Sequence, residues 1–468
     1  MKHTKTIVLT LSLIWLAASG SAIDLKEYIE LLMANHPFFQ KEELALEVEY
    51  SRRGTLLPRS EWQFSLSPQY GIADNPVGSE FLQSLSQSAI LEAGMERTFV
   101  DGRWVGFSAS SAYTWLQDPL YTTEHSSFQH GFELSMSWPL LVDVERLSRL
   151  GYDLHEYMIK AKEVEMQENR ESFLVEPALQ FIEWAYALEL VEIYRQRLVL
   201  AEEQLATTNR MYRANLVEKL DVMRAEDAVR MAQQAIFEYE SIAKSIQTVL
   251  ATLAGAERIY NERPDFDFFS FVELPPASEA AARAKGNTRL KKPLSFAIER
   301  LKYSEDASEE EEKPSLNLYF QAGIFGPEDP FLDSLMIIHP QATVGLSYSP
   351  PYGLERLKAQ RKLIGTEIEQ LEKDIENMEK TVETNVRSLL IQAAELQKII
   401  ELSRELIESA EEKTLEEARL YSQGRNILTN VLQSRDSVQD QRARLVESFA
   451  RYHRLIVYYR AWMDELLD

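Results

Sequence analysis

The sequence predicts a mainly α-helical protein with a smaller β part, built as a tandem structural repeat. Three observations support this fold class: apolar heptads within a proline-free stretch of about sixty residues, four segments in which large apolar and small polar residues alternate, and a helix-breaking motif that occurs twice. The 468-residue chain contains no cysteine, which excludes disulfides and thiolate metal sites. Its formal net charge of −24 argues against a nucleic-acid partner.

The N-terminal segment predicts a secretory signal peptide over residues 1–22. Lysines precede an apolar run at residues 7–18, and Gly20 and Ala22 have the small side chains that a cleavage site requires. The alternative is an N-terminal membrane anchor, for which the run is short. No later apolar stretch approaches 18 residues, so we expect no other transmembrane helix.

The longest helix is predicted over residues 354–418, which contain no proline and a single glycine, Gly365. A helix of this length would extend roughly 90–100 Å. Its apolar residues step by seven in two registers offset by four, as the a and d positions of a coiled coil do. They are Ile364, Leu371 and Met378 in one register and Ile368, Ile375, Val382, Leu389 and Leu396 in the other.

The first half of the chain contains a matching long helix, predicted over about residues 140–210. Pro177 lies inside it and is expected to kink or locally unwind the helix. Return helices are predicted over about 219–254 and 427–467. A weaker helix is expected over 277–306, where it opens the second half.

Four alternating segments predict strands, and they lie at residues 62–70, 132–138, 316–324 and 342–348. Such strands fit either a sheet with one face in water or an outer-membrane barrel, and the strands alone leave both open. An insertion in the first half adds a predicted hairpin over about 93–100 and 103–115, with Asp101-Gly102 as its turn. Whether this hairpin enlarges a barrel or caps one stays open.

Matching spacings indicate that the two halves are copies of one unit. Pro37 and Pro58 are 21 positions apart, as are Pro293 and Pro314, and each second proline precedes a strand. The breaks YRANLVEKLDVM and YSQGRNILTNVL follow the long helices at corresponding places, with tips near residues 212–222 and 421–431. The predicted organisation after the signal peptide is a first repeat over 23–256 with strands at about 61–138, a linker over 257–313, and a second repeat over 314–468 with strands at about 315–325 and 340–349.

In order and spacing, these segments resemble the TolC-like outer-membrane efflux protein family over essentially the whole mature chain. The resemblance rests on ANHPFF at 34–39, LLP at 56–58, SWPLL at 137–141 and the two tips. It implies a trimeric outer-membrane channel in which each protomer gives four strands to one shared β-barrel. The helices would form a long coiled-coil α-helical tunnel in the periplasm of a diderm bacterium.

The function implied by the resemblance is a passive exit duct of a tripartite efflux or type I secretion system. Its partners would be the other copies of a homotrimer, outer-membrane lipid, a periplasmic adaptor (membrane fusion) protein and an inner-membrane pump. A soluble periplasmic coiled-coil scaffold or adaptor is the alternative, which the alternating strands disfavour. The seven histidines are scattered, without an HExxH motif, so we expect no enzyme activity, cofactor or metal site.

The resemblance also implies that the tips form the gate and the adaptor contact. Asn215 and Gly424 match the turn position, where a left-handed backbone favours glycine and tolerates asparagine. Asp221 and Tyr421 match residues that link neighbouring tips in the family.

The second tip departs from the family pattern in its charge. Some members have two aspartates where this chain has Asn430 and Gln433, so a neutral entrance is expected here. Asn426 occupies a position at which the family has an arginine. The expected tip residues are Tyr212, Asn215, Leu216, Asp221, Val222, Tyr421, Gly424, Asn426, Asn430, Val431 and Gln433.

Overall fold

The computed structural model describes residues 22–74, 85–117, 126–326, 339–351, 355–423 and 425–466. The segment predicted as a signal peptide therefore lies outside the described residues, apart from Ala22. Within them the chain is mostly helical, and no helix is long and apolar enough to cross a membrane. Two compact units divide the chain: the first comprises Met1–Leu46, Lys162–Pro293 and Asp374–Asp468, and the second comprises Glu47–Ala161 and Leu294–Lys373.

The order of elements repeats along the chain, as the sequence predicts. Among the described residues the α-helices are α1 (Leu25–Asn35), α2 (Pro37–Thr55), α3 (Val144–Arg213), α4 (Lys219–Ala254), α5 (Ala277–Asn287), α6 (Lys292–Glu311), α7 (Glu355–Ser422) and α8 (Leu428–Trp462). The strands are β1 (Ala22–Ile23), β2 (Gln63–Asp74), β3 (Leu85–Thr98), β4 (Trp104–Gln117), β5 (Ser126–Pro139), β6 (Arg263–Pro264), β7 (Ser315–Gly326) and β8 (His339–Ser349). Each half thus runs from short helices through strands to a pair of long helices.

The second unit contains a six-stranded antiparallel sheet in the order β2-β3-β4-β5-β7-β8. The four strands predicted from alternation lie within β2, β5, β7 and β8. The inserted hairpin forms β3 and β4, which pair with β2 on one side and β5 on the other. The described sheet therefore contains six strands, the four predicted from alternation and the two of the predicted hairpin.

One face of this sheet is apolar across all six strands. A single row of paired positions on that face contains Phe64, Met95, Phe107, Leu134, Ala322 and Ala342. Large side chains on the face are exposed in the isolated chain, with Phe64 at 77% and Val344 at 68%. The opposite face has small and polar residues such as Ser65, Ser108 and Gln321. The period-2 pattern of a strand accounts for this division.

The turn between β3 and β4 forms at the predicted dipeptide. Gly102 has φ +81°, and its N–H donates to the carbonyl oxygen of Phe99 at 2.9 Å. The Asp101 carboxylate accepts from the N–H of Arg103 at 3.1 Å. A Cβ on Gly102 would lie 2.6 Å from a side-chain carbon of Val144, so glycine is required here both by the backbone angle and by the space.

The first unit is centred on aromatic and aliphatic side chains contributed by several helices. Phe181 and Trp184 of α3 pack with Tyr28 of α1 in one buried cluster. Phe268 and Phe449 belong to a second cluster, where their rings lie 6.3 Å apart. The phenylalanine-rich segment around Phe268, within the predicted linker, thus packs against α8.

Pro177 does not interrupt α3, which is a continuous helix of 70 residues with the proline inside it. Of the two expected outcomes, a kink or local unwinding, unwinding is therefore excluded. A proline inside a helix costs about 3 kcal/mol because a backbone hydrogen bond is lost. Leu174, Ala178 and Phe181 surround it and are fully buried, and burial of several such side chains at roughly 1.5–3 kcal/mol each outweighs that cost.

The heptad seam of α7 is confirmed in its first part and shifts in its second. Ile364 and Val382 are buried, but the buried stripe then continues through Val386, Leu390, Ala393 and Ile400, while Leu389 and Leu396 are only partly buried. A straight helix has 3.6 residues per turn, so a strict seven-residue repeat drifts around it by about 20° per heptad.

The single helix expected over 277–306 is in fact two helices. A 3₁₀ turn at Arg289–Lys291 separates α5 from α6. Pro293 lies in the first turn of α6, where its missing N–H leaves no helical hydrogen bond unmade.

Candidate functional site

The first tip joins α3 to α4 through a turn built on Asn215. Its φ of 57° is left-handed, as predicted. The N–H of Leu216 donates to the carbonyl of Met211 at 2.9 Å, and that of Asn215 donates to the carbonyl of Tyr212 at 3.0 Å. This pair of bonds is a Schellman motif, which uses carbonyls that the end of a helix leaves without partners.

Asp221 caps the start of α4. Its Oδ2 accepts from the N–H of Glu218 at 3.2 Å, and its Oδ1 lies 3.6 Å from a guanidinium nitrogen of Arg224. Glu218 and Asp221 form a capping box, in which each side chain accepts from the other residue's backbone N–H. Asp221 therefore has partners within its own chain, whatever it contacts elsewhere.

Asn426 organises the second tip, where α7 gives way to α8. Its side-chain NH₂ donates to the carbonyl of Glu417, at 3.3 Å, and to the carboxylate of the same residue. Its Oδ1 accepts from the N–H of Ile427 at 2.9 Å and from the side-chain NH₂ of Asn430 at 2.8 Å. Gly424, the residue expected at the turn position, lies outside the described residues.

The two tips contact each other within one chain. The hydroxyl of Tyr421 donates to the sulfur of Met211 at 2.9 Å. Burial raises the pKa of Tyr421 above its usual value, with a smaller contribution from the nearby charge of Asp221. The Tyr421 hydroxyl thus senses the charge of Asp221, and Met211 is a contact that nothing in the sequence indicated.

The remaining predicted tip residues differ in their exposure to solvent. Val431 is buried and Val222 is partly buried. Tyr212 and Leu216 are exposed, Leu216 to 72%, as are Asn430 and Gln433. Among the expected residues, the exposed ones are therefore apolar or neutral polar, and Asn215, Asn426 and Asp221 make the hydrogen bonds and backbone turn that shape the tips.

A second cluster of charged residues lies within the first unit, away from the tips in sequence. Glu168, Glu171 and Asp464 each place a carboxylate oxygen within 4.8 Å of the others. The guanidinium of Arg289 contacts all three, and the second oxygen of Glu171 accepts from the N–H of Leu466 at 2.8 Å. Because the guanidinium of Arg289 already supplies a positive charge to the three carboxylates, we interpret the cluster as structural. It joins Asp464 and Leu466, which follow α8, to α3.

Comparisons with known proteins agree with this architecture. Residues 105–256 match the family model of outer membrane efflux proteins, which is about a third of the chain. No curated protein sequence matches the chain significantly.

Solved structures cover nearly all of the chain. The channel protein CusC aligns with 13% identity and a TM-score of 0.66 over 94% of this chain and 92% of its own. The outer membrane protein VceC of Vibrio cholerae aligns with 13% identity and a TM-score of 0.64 over 94% and 96%. The outer membrane channel MtrE of Neisseria gonorrhoeae aligns with 14% identity and a TM-score of 0.62 over 94% and 89%. The predicted resemblance to TolC-like outer-membrane efflux proteins is therefore confirmed, in the fold for nearly the whole chain and in the sequence for residues 105–256.

Proposed function

We propose that this protein is an outer-membrane exit duct through which a tripartite efflux or type I secretion system releases its cargo. The observation that carries the proposal is the six-stranded sheet, whose apolar face is exposed in the isolated chain and has no function in water. The chain also has the fold of known outer-membrane channels. The duct is passive: transport energy comes from a pump, and the chain provides the path.

The sheet favours closure by several copies of the chain. Backbone groups in lipid must all be hydrogen-bonded, so a sheet that faces lipid has to close into a barrel. Within the described residues, β2 and β8 are the edges of an open sheet. Neighbouring strands of the sheet alternate in direction, so β2 and β8, the first and the sixth strand, run in opposite directions. β8 of one copy can therefore pair with β2 of the next copy as an antiparallel neighbour.

Helix surfaces support the same assembly. On α7, Ile391, Ile399, Leu402 and Leu406 form an exposed apolar stripe opposite the buried one. On α4, Leu220, Met231, Ile242 and Val249 form another. Stripes at helical spacing are buried by neighbouring helices, and a head-to-tail contact between copies closes into a ring. A homotrimer, as in the family, pairs the sheet edges of neighbouring copies and buries these stripes between them.

The tips form the periplasmic end of the duct and bind the adaptor protein. Exposed Tyr212 and Leu216 provide apolar contacts of the kind that dominate protein interfaces. Asn430 and Gln433 leave the two positions of the acidic ring uncharged, so the gate opens through packing and hydrogen bonds rather than through an acidic ring. The inner-membrane pump is reached through the adaptor.

Cell fractionation tests the proposal against a soluble periplasmic scaffold. The protein should appear in the outer-membrane fraction and require detergent for extraction, because its apolar sheet face lies in lipid. Once extracted, it should form conducting pores when reconstituted into planar bilayers. Recovery in the aqueous periplasmic fraction, without detergent, would contradict the proposal and favour the scaffold.

A further inference from the structure

We propose that three copies of this chain close a barrel of eighteen strands, with the inserted hairpin β3–β4 in the membrane wall. The inference rests on the proposed function and concerns the width of the duct in the outer membrane. The hairpin could in principle have capped the barrel or stood outside it; three observations argue that it does neither.

The first observation is the hydrogen-bonding of the two inserted strands. β3 pairs with β2 along twelve consecutive positions, from Gln63 opposite Glu96 to Asp74 opposite Leu85. β4 pairs with β5 over another twelve, from Trp104 opposite Ser137 to Trp115 opposite Ser126. Strands of 9–11 residues suffice to span a bilayer when tilted. The hairpin therefore has the length and the continuous pairing of membrane strands, and its removal would separate β2 from β5.

The second observation is that the apolar face continues across the insertion without a change of side. Leu91 and Phe107, on the inserted strands, are 49% and 43% exposed and share a face with Phe64 and Phe132. A hairpin that covered the barrel mouth would have an outer surface in water and would not need this pattern. Membrane strands require a continuous apolar face, because their outward residues contact lipid.

The third observation concerns the inward face. On β4 this face has Gly106, Ser108, Ser110 and Ala112 between Trp104 and Leu116, and on β3 it has Ser88 and Gly94 together with Ile90, Glu92 and Glu96. Small side chains leave the interior of a barrel open instead of filling it. The middle of β4 thus adds to the wall with small side chains on its inner side, while its larger inward side chains, Trp104 and Leu116, lie at its two ends.

Six strands from each of three copies make a barrel of eighteen. Barrel diameter grows roughly in proportion to strand number, so this barrel is about 1.5-fold wider than one built from four strands per copy. Barrels of 16–18 strands leave an aqueous channel. The outer-membrane part of the duct is therefore an open aqueous channel wide enough for bulky solutes.

The absence of native cysteine makes the position of the hairpin directly measurable. Single-cysteine variants of the full-length chain, Phe107→Cys and Ser108→Cys, place a thiol on either face of β4. Phe320→Cys and Gln321→Cys are the matched pair on β7, a strand that belongs to the wall under either strand count. Each variant is labelled with an environment-sensitive fluorophore and reconstituted into vesicles containing spin-labelled phospholipid, which quenches fluorophores in contact with acyl chains.

The proposal predicts that β4 repeats the alternation of β7. Labels at 107 and 320 should be quenched several-fold more strongly by the spin-labelled lipid than labels at 108 and 321, which should respond to iodide in solution instead. If the β7 pair alternates while both β4 positions respond only to iodide, the hairpin lies outside the wall and the eighteen-strand barrel is wrong. If the β7 pair also fails to contact lipid, the proposed function itself is wrong.

Discussion

At the scale of single residues, the tips are held by a few polar side chains whose partners lie in the same chain. Asn215 accepts a left-handed backbone, Asp221 caps α4, and Asn426 bridges the end of α7 and the start of α8. The left-handed residue was predictable, since the motif repeats and asparagine tolerates that conformation. The bridge from Asn426 to Glu417 was not, because no spacing rule connects the two positions.

Substitution of Asn215 tests the turn. Asn215→Val should weaken the first tip by about 1–2 kcal/mol, the cost of a left-handed backbone for a residue with a Cβ and no compensating side-chain bond, and β-branching makes the strain worse. Asn215→Gly removes that cost and serves as the control. Hydrogen exchange of peptides covering residues 211–218 should be faster in the valine variant and little changed in the glycine variant. Equal exchange in both would show that the left-handed angle is not what shapes the tip.

The Arg289 cluster gives a pH-dependent prediction. Burial, and then the charge of Asp464, raise the pKa of Glu168 above its usual value despite the nearby guanidinium. The folded state therefore disfavours the charged Glu168 at neutral pH, and this penalty disappears as the pH falls through the raised pKa. Glu168→Gln should raise the melting temperature at pH 8 and have little effect at pH 4.

Glu171→Gln is the matched contrast within the same cluster. It weakens the ion pair with Arg289, so we expect a loss of about 1–3 kcal/mol at neutral pH. Thermal unfolding followed by circular dichroism at the two pH values distinguishes the variants. A melting temperature lowered equally by both substitutions at pH 8 would contradict the assignment of Glu168 as the disfavoured charge.

At the scale of elements, periodicity predicted the long helices and the alternating strands. Tertiary packing determined which residues of α7 are buried and where β3 begins. The seam of α7 shifts register because a straight helix does not keep a seven-residue repeat aligned. β3 begins at Leu85, eight residues before its predicted start, because its first half lacks the strong alternation that marks β4. Pairing with both neighbours stabilises such a segment, and this information is absent from a single strand's sequence.

The exposed stripe of α7 should be needed for assembly. Leu402 is 58% exposed in the isolated chain, and burial between copies would contribute roughly 1.5–3 kcal/mol per copy. Leu402→Glu should therefore convert the detergent-solubilised trimer largely to monomer, as measured by native mass spectrometry. Leu402→Met keeps the volume and polarity and should remain trimeric. A trimer that survives the glutamate substitution would mean that this stripe faces something other than a second copy.

At the scale of the whole molecule, the sequence predicted a duplicated chain of strands and long helices, and the structure has that order. What it left open was the place of the insertion. Alternation at residues 103–115 indicated a hairpin, but only its pairing between β2 and β5 puts it inside the sheet. Contacts between residues far apart in sequence, such as those of Arg289 with Glu171 and Asp464, likewise have no local signal.

The central claim is that the sheet edges of neighbouring copies join, and a disulfide test addresses it directly. Four strands separate β2 from β8 within a chain, which at about 4.8 Å between neighbouring strands is too far for a disulfide, since its Cα atoms lie at most about 7 Å apart. We would combine Thr343→Cys on β8 with Ser65→Cys, Ser67→Cys or Gln69→Cys on β2, one pair per variant, and oxidise the membrane-embedded protein. At least one pair should yield covalent dimers and trimers and nothing larger on a non-reducing gel. Monomers alone for every pair, or a ladder extending beyond three copies, would contradict the closed trimer.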